Sequence, residues 1–248
     1  MTFFSAPSQK SFYAGRRNTE TFSALTLKNR RAWGKQASLR GSESVMHISE
    51  GVLSAPVLAS GIALTAACTT VGLKKLDYDR IPQVAILSAT FFIASLVHVP
   101  LGPANVHLVL NGLMGVFLGW VAFPAIMVGL ILQALLFQYG GLTSLGVNTV
   151  IMAFPAVVCF YTFKEGIKSR KTAVSMLSSF LCGLVGILLS GLLLALSLVF
   201  TGEHFIGIAK LVVIAHLPVM VIEGLITTLV VKFLKRVKPE MLEVVYAR

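Results

Sequence analysis

Charge is what this 248-residue sequence has least of: 12% of its residues are charged, against 56% hydrophobic. A soluble domain carries about a quarter charged residues, so there is too little charge here to cover a water-facing surface. Acids are the scarcer sign, ten Asp/Glu against 21 Lys/Arg, for a formal net charge of +11. Cysteine is also sparse. Cys68, Cys159 and Cys182 each lie inside an apolar run, at spacings that make neither a zinc cluster nor a disulfide framework. They read as small buried hydrophobes. Two catalytic signatures are missing. Without a GxxxxGK[ST] loop the chain cannot hydrolyse ATP itself, and without HExxH or a comparable acid-rich site a membrane metalloprotease loses its machinery. The chain does not read as an enzyme.

What is present is a series of long apolar runs, and the mean hydropathy is +0.83. A helix needs about 20 apolar residues to cross some 30 Å of hydrocarbon. Runs without period-two alternation satisfy their backbone as helices rather than as a barrel. The expected fold is an all-α integral membrane protein of about seven transmembrane helices. The spans are expected near 53–73, 84–99, 108–120, 125–139, 149–163, 174–200 and 206–231.

The loops between them differ sharply in charge. Lys74–Arg80 carries three cations, Lys164–Lys171 four, and the tail from Lys232 five, while 98–107, 140–148 and 201–205 contain no Lys or Arg. The positive-inside bias then places the N-terminus outside and the C-terminus in the cytoplasm, in a multi-pass membrane protein. The basic excess is thereby accounted for by topology, and no nucleic-acid partner is expected.

Residues 1–45 form a separate segment, holding eight of the 21 Lys/Arg and two of the ten acids. This leader lacks the 7–15-residue apolar core of a secretory signal. Its Arg/Ser bias faintly resembles a transit peptide. Exporting so basic a stretch ahead of the first helix conflicts with the orientation above, so the leader is expected to be disordered or absent from the mature protein. The working N-terminus is expected at Met46. Residues 46–238 form the membrane domain and 239–248 a cytoplasmic tail.

Histidines stand at 47, 98, 107, 204 and 216. The first four fall on the outer side in this topology and His216 within the last span. A lone interfacial histidine is usually structural, but His47 directly follows Met46 in "VMHISEGVLSAP". If Met46 carries a free α-amine, that amine with the His47 backbone nitrogen and imidazole can chelate one metal through fused five- and six-membered rings. A further imidazole completes four nitrogens, a set suited to Ni(II) or Cu(II). Asn105, Asn111, Thr143 and Asn148 lie nearby in the outer turns and helix starts. They either orient the imidazoles or serve as ordinary caps and turn residues. Glu223 is costly in lipid and should face the bundle interior, two turns from His216, as a structural or a functional pair.

The stretches "MHISEGVLSAPV", "HVPLGPANVHLVLNGLMGVFLGW", "AFPAIMVGLILQALLFQYGGLTSLGVNT" and "AFPAVV" closely resemble the CbiM/NikM family over about residues 46–235. These are the substrate-binding membrane components of energy-coupling-factor (ECF) cobalt and nickel importers. The resemblance implies that the metal ligands are the Met46 amine, the backbone and ring nitrogens of His47, and His107 in "NVHLVLNG", with His98 as the second choice. The transported Co2+ or Ni2+ is then cargo, and no catalytic cofactor is implied. The family's usual start has Pro and Asp or Glu after "MHI", where this chain has Ser49 and Glu50. The leader is a larger departure.

The resemblance also implies partners: a transmembrane coupling subunit, two cytoplasmic ATPase subunits and a small auxiliary membrane subunit. Ala55, Ala59, Ala63 and Ala67 recur every fourth residue along the first span. Such a small-residue strip permits close helix approach in lipid, either to the coupling subunit or within the bundle. A stand-alone secondary carrier or channel is the rival reading. It would want intramembrane acids and often an internal repeat, whereas only Glu223 and no convincing repeat are seen.

Overall fold

The computed structural model describes residues 48, 50–101, 104–202, 205–239 and 242. The leader, Met46, His47 and His204 lie outside the described residues. Seven α-helices run through the described residues: α1 (Ala55–Lys74), α2 (Ile81–Ala94), α3 (Asn111–Leu118), α4 (Ala122–Phe137), α5 (Leu145–Lys168), α6 (Thr172–Val199) and α7 (Ile206–Val237). Between α2 and α3 the chain forms an antiparallel pair, β1 (His98–Leu101) and β2 (Ala104–His107). The sequence predicts only an uncharged loop there. Proline opens both α1 and α2 within the first two helical positions, where its missing N–H costs nothing.

Five stretches are long and apolar enough to cross a bilayer, not the expected seven. The difference has two causes. Helix α2 has 14 residues, fewer than the roughly 20 a full crossing needs. The expected third and fourth spans fall within one 27-residue apolar stretch, Asn111–Phe137.

That stretch is not a straight rod. It breaks at Gly119, whose φ of +53° suits glycine, and turns through the short 3₁₀ segment Gly119–Val121. Its two outer ends return to the same place. Leu108 N–H donates to the Val97 carbonyl (3.3 Å), and Gln133 Nε2 donates to Ser95 Oγ (2.8 Å). The turn itself meets the opposite end of the bundle. There Arg80 Nη2 donates to the Phe117 carbonyl (2.9 Å), and a Cβ on Gly72 would lie 2.6 Å from the Trp120 carbonyl oxygen. Helices α3 and α4 therefore form a hairpin whose apex lies beside the α1–α2 loop.

Helix α3 is the innermost element, with all eight of its residues buried. Two glycines bring its backbone against its neighbours. A Cβ on Gly115 would collide with the Ala156 carbonyl of α5, and one on Gly112 would lie 2.7 Å from the Cys182 carbonyl of α6. Lipid provides no hydrophobic drive between helices, so packing this close is what holds such a bundle together. Cys159 and Cys182 are buried free thiols in the same layer, in keeping with their reading as small hydrophobes.

Helix α1 turns Gly61, Thr65, Thr69 and Gly72 inward, and Thr65 Oγ1 donates to the Gly146 carbonyl of α5 at 2.6 Å. The strip Ala55, Ala59, Ala63 and Ala67 is exposed throughout. It does not pack within this bundle.

Candidate metal site

His107 closes β2, and the strand register sets it opposite His98. The side chains of His98 and Asn105 lie outside the described set. The His107 ring is 1% exposed, and its Nδ1 lies 2.9 Å from the Leu108 carbonyl oxygen. A carbonyl only accepts, so this bond requires the hydrogen on Nδ1 and leaves the lone pair on Nε2. A carbonyl on one ring nitrogen that fixes the other as a donor atom is the usual arrangement behind a ligating imidazole.

The segment after His107 is fixed from α7. Glu223, fully buried, accepts the N–H of Val109 on Oε1 (2.6 Å) and that of Leu110 on both oxygens (2.8 and 3.0 Å). Leu110 stands at the head of α3 in the left-handed conformation, φ +54°. The N–H groups at a helix start lack intrahelical acceptors, and a carboxyl group there satisfies them while facing the positive end of the helix dipole. Glu223 thus pins the turn that carries His107 into α3. His216, two turns earlier on α7, has its Nδ1 2.6 Å from the Val212 carbonyl of its own helix. Glu223 and His216 each have their own partner rather than bonding one another.

The chain just beyond Met46 and His47 is also fixed. Ile48 is buried, its N–H donating to Asn148 Oδ1 (3.2 Å) and its carbonyl accepting from Asn148 Nδ2 (3.3 Å) and Ser144 Oγ (2.7 Å). A carboxamide can do this because it carries donor and acceptor side by side. Two residues on, Glu50 Oε1 accepts the backbone N–H of Leu142 (2.9 Å) and of Thr143 (3.4 Å). Both contacts come from the loop and first turn that open α5.

The four polar residues singled out from the sequence therefore fare differently. Asn148 grips the backbone of Ile48. Thr143 contributes its main-chain N–H to Glu50. Asn111 turns toward α6, with Nδ2 donating to the Gly186 carbonyl (3.1 Å) and Ser190 Oγ (2.6 Å). Asn105 stands in β2. Ser144 and Glu50 were not singled out as contributors, and Glu223 was noticed without its partner. Ser144 sits in a polar turn before an apolar run, the one local signal that marks it.

Among the described residues no group of three or more His, Cys, Asp or Glu is placed to hold a metal. The remaining nitrogens of the expected ligand set belong to Met46 and His47, outside those residues. Imidazole and amine nitrogens suit late first-row ions such as Co(II) and Ni(II).

Residues 47–241 match the CbiM family, described as the cobalt uptake substrate-specific transmembrane region. The chain is 37% identical over 199 residues to a protein of Haemophilus influenzae named for metal transport, covering 79% of this chain and 97% of that one. It is 38% identical over 114 residues to the fused nickel transport protein NikMN of Rhodobacter capsulatus, a match covering 44% of this chain and 33% of that one. A crystal structure of a transition metal transporter superposes with a TM-score of 0.63 at 28% identity, covering 77% of this chain and 93% of that one.

Proposed function

The chain belongs to the CbiM family, and we propose that it is the metal-capturing membrane subunit of an ECF-type importer for cobalt or nickel ions. It is a multi-pass membrane component of cobalt/nickel transport. The finer reading gives it an extracytoplasmic site made by the Met46 amine, the backbone and ring nitrogens of His47, and His107 Nε2. The observation that carries this reading is the double grip of Asn148 and Ser144 on Ile48, next to His47 in the chain. A flexible N-terminal tail would lose ordering entropy on closing around an ion. A tail already fixed at Ile48 loses less.

The reading includes a mature chain that starts at Met46, since a preceding residue turns the amine into an amide. The reading keeps an outer N-terminus and the three basic segments in the cytoplasm, as the loop charges require. The exposed alanine strip of α1 is the docking face for a transmembrane coupling subunit. Two cytoplasmic ATPases supply the energy, with a small auxiliary membrane subunit alongside.

A stand-alone carrier would draw on an intramembrane acid for ion coupling, but the Glu223 carboxyl group is already engaged by the Val109 and Leu110 amides. The test is metal retained by the purified protein after desalting. His47→Ala and His107→Ala should each abolish high-affinity retention, and retention at the level of the unmodified protein in both would refute the ligand set.

A further inference from the structure

At the end of the bundle that carries the loop cations, a cavity of about 880 Å³ opens between the α5–α6 turn, the start of α6 and the last turns of α7. That is within the roughly 300–1,000 Å³ of ordinary ligand pockets. Five cations line it: Lys168, Arg170, Lys232, Lys235 and Arg236. Among the described residues lining it there is no acid. Thr172, the first residue of α6, also lines it and adds the partial positive charge of a helix N-terminus. Lys235 is fixed across the mouth, its Nζ donating to the Ser169 carbonyl at 3.0 Å. An ammonium group has three N–H donors, and this bond uses one of them.

The wall of the cavity has the opposite chemistry. Met176, Val231 and Leu242 line it, and the last two are 1% and 5% exposed. The positive-inside rule accounts for cations in loops, but not for five of them around one concavity with an apolar wall. A free phosphate ion has no use for that wall. An acidic protein segment has no need of an apolar wall at the ends of three long apolar helices. A phospholipid uses both. We infer that this cavity binds an anionic phospholipid of the adjoining leaflet, its phosphate among the cations and its upper acyl chain against Met176 and the aliphatic stems of the lysines. The cavity joins the end of α5 and the start of α6 to the end of α7, so an occupied site staples the three longest helices at their basic ends. The inference does not depend on the metal ligands at the other end.

The test uses the full chain in neutral detergent. Dioleoylphosphatidylglycerol, dioleoylphosphatidylcholine, inorganic phosphate and a polyglutamate peptide are added separately. Retained adducts are read by native mass spectrometry and the melting temperature is followed. The expected result is phosphatidylglycerol retained about tenfold over phosphatidylcholine, with a raised melting temperature, and the preference collapsing near about 0.5 M salt. Lys232→Gln, Lys235→Gln and Arg236→Gln combined should remove the preference. If that triple variant does not fold, the salt dependence of the unmodified protein decides alone. Equal retention of both lipids, a preference unmoved by salt, or an unchanged preference in the folded triple variant would overturn the inference. So would equal stabilisation by inorganic phosphate or by polyglutamate, which would assign the cavity to a free anion or to an acidic protein.

Discussion

Both carboxyl oxygens of Glu223 take the backbone N–H of Leu110, at 2.8 and 3.0 Å, across 113 residues of chain. This bond joins the longest helix of the bundle to the head of its innermost one, three residues beyond His107. It gives the single buried acid of the described residues a structural task, that of holding the turn between His107 and α3 in place.

Removing that carboxyl group leaves the Val109 and Leu110 amides buried without their acceptor. Each such orphan costs about 1–3 kcal/mol. Glu223→Ala should therefore lower the unfolding free energy of the detergent-solubilised protein by about 2–6 kcal/mol, read from its denaturation curve, and Glu223→Gln, which keeps one acceptor, by less. Metal retention should fall with stability in the same order. An alanine variant as stable as the unmodified protein would show that the amides find other partners.

Asn148 fixes the backbone of Ile48, next to His47 in the chain. Asn148→Ala removes two of the three hydrogen bonds on the Ile48 backbone, leaving that of Ser144 Oγ. Two bonds at about 1 kcal/mol each correspond to a loss of about thirtyfold in metal retention. The fold should survive, because the glycine contacts of α3 and the α6–α7 packing are untouched. Unchanged retention in Asn148→Ala would mean that the tail is ordered by something else.

The exposed strip on α1 gives a prediction that separates docking from folding. Ala63→Phe puts a large ring on an exposed face of α1. The isolated chain should keep its melting temperature and its bound metal, while co-purification with the coupling subunit and energised uptake are lost. A variant that still assembles and imports would remove the strip as the contact.

The helical class and the approximate places of the helices were legible in the sequence, because apolar run length and loop charge act locally. The α3–α4 hairpin was expected as two spans, and its turn at Gly119 is a backbone property of one residue. The 14-residue α2 was harder to read: its apolar character continues to Val99, but the chain leaves the helix at Ser95 to enter the β1–β2 pair. Of the site, the histidines were visible as types in a pattern. The engagement of Glu223 with Leu110 and of Asn148 with Ile48 was not, since each partner is a backbone group about a hundred residues away. No side-chain pattern announces a backbone amide as a partner.

The most direct measurement compares bound cobalt or nickel per chain in two purified proteins, one beginning at Met46 and one carrying a single added residue before it. With an amine ligand, the first should retain about one ion through desalting and the second almost none. Equal retention by the extended chain would contradict capture through the Met46 amine.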